Sequence, residues 1–337
     1  MHKVIVMSIL VAALSVLSSC HSDGRGEGVL RLADSLMEQR PDSSLALLRR
    51  DSLLFAGASK AVRMAYVVSR TEAEDKLYVS HRSDSAMLRA AEYFSSRGSE
   101  LQRVRSWYLL GRVYCDMLLY GHALSAFGKA IGGEATADSA VCRYKARACT
   151  WAGAIYEEKE LHADALRYNK QAYEYARRVD VPSVEVYALR DIGRSYRNLS
   201  KDVEAIRYYK FAANKAKAFN DSSLVVMVME ELAGVYIDNR QFCKAKNALS
   251  NNISSTLNVD LAPHYFIRAK YYDNIGLVDS AVYYYDKGLV YGWEKVNVHA
   301  FLKLARLYKK NDDYVNAVKY YDSCLYNISG AIKITSL

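Results

Sequence analysis

Chemistry in this chain would have to come from a thin set of side chains. The seven histidines, His2, His21, His81, His122, His162, His264 and His299, stand apart from one another. None belongs to a His-Glu-x-x-His pattern, and no Gly-x-Ser-x-Gly or phosphate-cradling glycine loop occurs. The neighbouring carboxylates Glu157-Glu158 and Glu230-Glu231 fall in helical patterns, where solvated acidic faces are ordinary. No catalytic residue, metal site or cofactor is expected from these groups, so an enzyme is not expected. The sharper constellation is cationic. Arg190, Arg194 and Arg197 stand at i, i+4 and i+7, which puts them on one face of a helix. Like charges at that spacing repel unless an anion answers them, and a guanidinium grips a carboxylate through two parallel hydrogen bonds.

The other reactive candidate is Cys20. It follows a Met-His-Lys start, an apolar run of 14 residues from Val4 to Leu17, and two serines. Such a run is too short to span a bilayer, which takes about 20 residues. A basic start, a short apolar core and small residues together form a secretory signal peptide, here residues 1–19. Leu17-Ser18-Ser19-Cys20 resembles the bacterial lipobox. The resemblance implies lipidation of the Cys20 sulfur, cleavage before it, and acylation of the new amino group. One acyl chain anchors only marginally at roughly 0.8 kcal/mol per buried methylene, so two or three make a durable tether. Residues 20–27, polar and glycine-rich, read as a flexible tether off the membrane. This places the chain in the cell envelope of a Gram-negative bacterium, lipid-anchored, facing the periplasm rather than surface-exposed. The remaining cysteines, Cys115, Cys142, Cys149, Cys243 and Cys324, are odd in number and lack metal-type spacing. Cys142 and Cys149 lie about 10 Å apart along one helix, too far to bridge. They read as small buried apolar residues.

Composition favours helices. The chain has 337 residues, 51% apolar and 25% charged, with three prolines and 28 tyrosines. That is enough apolar material for a sizeable core. The formal charge is +9, and losing Lys3 with the leader leaves +8. Spread over many helix faces this is a mild imbalance, concentrated only at the arginine stripe.

Self-similarity supplies the frame. Trp107, Leu110, Gly111, Tyr114, Ala123, Phe127 and Ala130 fall at the spacing W-x2-L-G-x2-Y, Ala, Phe, Ala. The frame returns with Gly153, Tyr156, Ala165 and Ala172, Asn169 standing where an aromatic is usual. It returns again with Leu189, Gly193, Tyr196, Ala205, Tyr209 and Ala212. Weaker or closely similar copies follow at Leu232, Ala233, Tyr236, Ala245 and Leu249, at Ala269, Tyr272, Ala281, Tyr285 and Gly288, and at Leu304, Ala305, Tyr308, Ala317, Tyr321 and Cys324. The sequence thereby resembles the tetratricopeptide repeat family. Its pattern is one of packing: small residues let two antiparallel helices close in, while aromatics wedge the seam. The small anchors at 111, 153, 193, 233, 269 and 305 are spaced more widely than the family's 34, which implies longer helices and loops.

The resemblance implies an all-α fold, a right-handed superhelical solenoid of antiparallel helical hairpins. Residues 28–100 are expected to form degenerate hairpins capping the array, 101–327 six repeats, and 328–337 a C-terminal tail. Longer relatives continue into a transmembrane helix and signalling tail that this sequence does not show, so direct signalling across a membrane is not expected. Asp84-Ser85, Asp138-Ser139, Asp221-Ser222 and Asp279-Ser280 read as helix caps, with a weaker resemblance to a bacterial O-glycan acceptor motif.

In this family the first helix of each hairpin lines a concave groove. Transferring its groove positions gives Arg105, Tyr108 and Arg112, then Arg147, then Tyr187, Arg190, Arg194 and Arg197. The function implied is a membrane-anchored protein–protein interaction scaffold that binds a peptide or protein, an acidic one by the charge of the stripe, and no nucleic acid. The alternative is a glycan-binding outer-membrane lipoprotein of a nutrient-uptake system. Such proteins carry a loop-rich insertion that is lacking here, and Tyr283-Tyr284-Tyr285 and Tyr320-Tyr321 are better explained as core.

Overall fold

Alternation of small anchors and bulky wedges along each segment dictates helices that can pair closely. A computed structural model describes residues 23–133, 136–179, 181–250, 261–291 and 294–335. The leader and Cys20 lie outside the described residues. Among those described the chain is all-α, a succession of antiparallel hairpins. It divides into two compact units, Met1–Asp180 and Val181–Leu337.

The first unit holds α1 (23–36), α2 (Pro41–Arg50), the short α3 (Ser52–Ala56), α4 (Lys60–Lys76), α5 (Ser85–Arg97), α6 (Glu100–Asp116), α7 (Tyr120–Ile131), α8 (Ser139–Glu158) and α9 (His162–Ala176). The second holds α10 (Pro182–Asn198), α11 (Asp202–Ala218), α12 (Ser222–Asp238), α13 (Phe242–Leu249), α14 (Leu261–Asn274), α15 (Val278–Tyr291), α16 (Glu294–Lys310) and α17 (Tyr314–Thr335). Within each unit the first helices of successive hairpins also pack side by side: α4, α6 and α8 in one, α10, α12 and α14 in the other. A hairpin cannot cover its own apolar face, so stacking of this kind closes the core.

The close approaches fall where the small anchors stand. A Cβ added at Gly111 would strike the Phe127 ring, and one at Gly193 would lie 2.9 Å from Tyr209 Cδ1. Phe127 and Tyr209 are fully buried in those seams. Each of the six repeats reverses direction through one residue in the left-handed region, at 118, 160, 200, 240, 276 and 312. Only Gly276 is a glycine; Leu118, Glu160, Ser200, Arg240 and Asp312 hold φ between 56° and 59°. In every case the next backbone N–H donates to the carbonyl of the repeat's tyrosine, as from Leu119 to Tyr114 at 2.9 Å and from Lys201 to Tyr196 at 2.9 Å. That bond satisfies a helix-terminal carbonyl and fixes the turn.

The same tyrosines stack on a second ring from the returning helix in four repeats. The pairs are Tyr156–Tyr168, Tyr196–Tyr208, Tyr272–Tyr284 and Tyr308–Tyr320, with centroids 5.3–5.6 Å apart and interplanar angles of 4–21°. Offset stacking of this kind adds about 0.5–1.5 kcal/mol beyond burial. Tyr284 and Tyr320 are thus seam residues, Tyr285 is buried, and Tyr283 is exposed.

Several local expectations meet a different outcome. The tether expected over 20–27 is helical from residue 23 onward. One of its glycines serves close packing: a Cβ on Gly26 would lie 3.1 Å from Val62 Cγ1, whereas Gly24 and Gly28 face open space. Asp23 also accepts the Ser59 backbone N–H at 2.7 Å, tying the start of α1 to the head of α4. Asp138 and Asp221 cap their helices by accepting from Val141 and Leu224 at 2.9 and 3.0 Å. Asp84 instead accepts the Tyr114 hydroxyl at 3.0 Å, and Asp279 sits inside the first turn of α15. Cys142, Cys149 and Cys324 are buried, Cys115 half-buried and Cys243 exposed, all as free thiols. Burial pushes the Cys115 thiol up to about 11, away from nucleophilic use.

Candidate functional site

In the first unit, α1, α4, α6 and α8 present a continuous polar face. Its centre is Glu72 on α4, whose side chain is almost wholly buried. Glu72 accepts from Arg105 Nε at 2.6 Å and from the Tyr144 hydroxyl at 2.8 Å, with Arg147 Nη1 at 3.7 Å. The remaining Arg105 nitrogens donate to both oxygens of Asp34, at 2.8 and 3.2 Å. Arg147 reaches Glu38 at 3.3 Å, and Glu38 also takes Lys76 at 2.8 Å and Arg143 at 3.3 Å. Burial pushes the Glu38 carboxyl up, but Lys76, Arg147 and Arg143 outweigh it and hold it below the usual carboxylate range. A cleft of about 170 Å³ opens among Asp34, Glu38, Glu72, Arg105, Arg143 and Tyr144. Beside it Arg112 donates to Asp75 at 2.8 Å, and its guanidinium lies 3.4 Å from the Trp151 ring centroid. Trp151 is exposed.

The second unit carries the other half of the expected stripe. Arg190 pairs with Asp191 of its own helix at 2.7 Å and lies 5.0 Å from the Tyr187 ring centroid. Arg194 pairs with Glu231, and Arg197 with Asp238 at 2.6 Å and Glu231 at 3.8 Å. Gly234 makes room for this: a Cβ there would lie 3.0 Å from Arg197 Nη1. Burial raises the Glu231 carboxyl, yet the arginines beside it bring it below its ordinary value. On the following helix Arg268 donates to Glu230 at 2.9 Å and to the Leu249 carbonyl at 2.9 Å, and His264 also contacts Glu230.

The expected groove therefore needs correcting. Arg105, Arg112, Arg147, Arg190, Arg194 and Arg197 do reach the faces of the first helices, but each is answered by a carboxylate of this chain. Four like charges awaiting an external anion are not what the fold presents. The answering acids sit on the neighbouring hairpin, 33–41 residues away for Glu72, Asp75, Glu231 and Asp238. Tyr108 is corrected as well. It is buried against Phe127 and Tyr144, with centroids 6.3 and 5.7 Å away, and belongs to the core. Tyr187 is exposed. Sequence reasoning missed Asp34, Glu38, Glu72, Arg143 and Tyr144, because the hairpins carrying the acids do not match the repeat frame.

His81, on the loop between α4 and α5, ties that loop to two helices. Its Nδ1 lies 2.7 Å from Asp116 and its Nε2 3.6 Å from Glu74. The carboxylate of Glu74, ahead of the opposing effect of burial, raises the imidazole above its ordinary value, and Asp116 adds to it. Burial pushes the Glu74 carboxyl up, but the His81 imidazole and the Arg70 guanidinium beside it win and hold it at about 2. A raised histidine contributes stability that is complete below its unfolded value, near 6.5, and is lost as pH rises through the folded value. Thermal unfolding should therefore shift down by a few degrees from mildly acidic to mildly alkaline pH. His81→Asn should flatten that slope, and a slope unchanged in the variant would remove His81 as its source.

No family model matches the sequence, and no curated protein matches it. Solved structures match at the level of fold. The apo form of the quorum sensor NprR from B. thuringiensis superposes with a TM-score of 0.68 at 16% identity, covering 90% of this chain and 87% of that one. The apo form of RapI gives 0.61 at 12% identity, covering 91% and 98%. The Rap conjugation gene regulator of plasmid pLS20, in complex with the Phr* peptide, gives 0.50 at 13%, covering 92% and 96%. Identities this low establish a helical-repeat fold similar to tetratricopeptide arrays.

Proposed function

We propose that this chain is a lipid-anchored binding scaffold that captures an extended peptide or protein segment on the inner face of its helical hairpins. The observation that carries the reading is the Asp34–Glu38–Glu72–Arg105–Arg147 network. Charged groups of both signs line one cleft and pair across it. A peptide backbone presents alternating donors and acceptors, and such a surface can answer both. The polarity of the cleft argues for a mixed-charge segment here rather than an acidic one. The similar fold solved with a Phr* peptide supports a peptide as ligand class.

The lipid anchor rests on Leu17-Ser18-Ser19-Cys20 and places the scaffold at an envelope membrane. No described helix is long and apolar enough to cross a membrane. Cys20→Ala should abolish fatty-acid labelling and release the chain from the membrane fraction, leaving its circular dichroism unchanged. Labelling that persists in the variant would sink the anchor.

The cleft is tested by peptide-display selection on the full chain. Enriched peptides should lose about tenfold or more in affinity when Glu38 and Arg147 are exchanged as Glu38→Arg with Arg147→Glu. That exchange keeps the pair between positions 38 and 147 and inverts what a ligand meets; because it also sets like charges against Lys76, Arg143 and Glu72, the loss counts only with unchanged circular dichroism and melting. Failure to enrich any peptide, or enrichment indifferent to the exchange, overturns the reading.

A further inference from the structure

The second unit carries a cavity of about 350 Å³ that the inner face does not share. It lies between the second helices of two hairpins, α11 and α13, with α12 as its floor. Its origin can be read from the repeat. In four hairpins a tyrosine from the returning helix covers the repeat's own tyrosine, as Tyr208 covers Tyr196 at 5.4 Å. In the hairpin of α12 and α13 that position is Ala248, opposite Tyr236, and both line the cavity. The missing ring leaves the space. Met229 and Leu232 complete an apolar floor.

The rim is cationic. Lys210, Lys217 and Lys244 are exposed at its edge, and no carboxylate lines it. Among the described residues none of the three is ion-paired; Lys244 donates to Gln241 at 2.9 Å and lies 5.7 Å from the Tyr236 ring centroid. This contrasts with the arginines of the inner face, each of which is answered. Lys210 and Lys217 lie seven residues apart on α11, about 10 Å along its axis. A peptide in the polyproline II conformation turns once every three residues and rises about 3.1 Å per residue, so carboxylates three residues apart share one face and match that separation. Asn214, between the two lysines, and Asn247 offer amides to a peptide backbone. A lipid phosphate would instead call for cations gathered around one point.

We infer that this cavity is a second docking site, for an acidic segment with a Glu-x-x-Glu or Asp-x-x-Asp spacing that seats one apolar side chain where the ring is missing. The site is independent of the inner-face cleft and stands or falls separately from it.

The test is binding of the full chain to an array of peptides that place each apolar residue between acids three apart, beside a matched array with glutamine and asparagine. Acidic peptides should bind at least about tenfold tighter than their amide partners, and weaken as salt rises. Ala248→Tyr restores the ring found in the sister hairpins and should abolish binding. Lys210→Glu with Lys217→Glu, both at exposed positions, should do the same with unchanged melting. The proposal is overturned if no acidic peptide exceeds its amide partner, if binding survives both variants, or if the lysines matter only for vesicles of anionic phosphatidylglycerol.

Discussion

Replacing Glu72 with alanine is expected to destabilise the chain by about 3 kcal/mol, the lower end for breaking a buried ion pair by removing one partner. The carboxylate is the common acceptor for Arg105 Nε, the Tyr144 hydroxyl and, more distantly, Arg147. Arg105 would retain Asp34 and Arg147 would retain Glu38, so neither charge is wholly orphaned. Tyr144 is buried and has no second acceptor in this network, and a buried donor left unsatisfied costs about 1–3 kcal/mol by itself. Glu72→Gln keeps an acceptor of the same shape and should lose less than half as much. Urea unfolding reads the difference as a lower midpoint at constant slope. A loss under about 1 kcal/mol would mean the network is an ornament of the surface, because exposed pairs contribute that little.

Gly193→Leu is the second large effect, expected near 3 kcal/mol, at the upper end for overpacking. The added Cβ alone would lie 2.9 Å from both Tyr209 Cδ1 and Cε1, and Tyr209 is fully enclosed, so the ring has nowhere to go. Gly128→Leu is the matched control. It sits in α7 with no atom within 4 Å of a new Cβ. There the substitution should be neutral or stabilising by up to about 0.8 kcal/mol, since glycine is a poor helix former. Equal melting of the two variants would mean that the seam between α10 and α11 is not where the small anchors place it.

The hairpins were legible because their determinants are local and periodic. Gly111 with Phe127 and Gly193 with Tyr209 are each 16 residues apart, within one hairpin, and the same residue types recur from repeat to repeat. The inner face was legible only in part. Helical spacing put Arg190, Arg194 and Arg197 on one face, but Glu231 and Asp238, which answer Arg194 and Arg197, lie one hairpin away. Single-sequence periodicity is silent on which acid meets which base at that range. Asp34, Glu38 and Glu72 were further hidden, because α1 and α4 lack the motif that would have supplied a register. Gly26 misled for another reason. Glycine signals freedom in a solvated linker and close approach in a packed helix, and only the facing side chains, Phe55 and Val62, tell the two apart.

Repeat arrays are often treated as beads that can be removed one at a time. The ion pairs of this chain make it less divisible than its periodicity suggests. A fragment ending at Ala218 would keep Arg194 and Arg197 and lose both Glu231 and Asp238. One beginning at Glu100 would keep Arg105 and Arg112 without Asp34, Glu72 or Asp75. Elsewhere the joint is of another kind: Tyr285 meets Ala300 and Leu304 in a single apolar cluster, so a fragment ending at Tyr291 would expose an oily face in place of stranded charge. The smallest piece of this chain that can be cut out and handled as a soluble fragment is therefore set by where its charges close, and whole repeats are the wrong unit in which to count it.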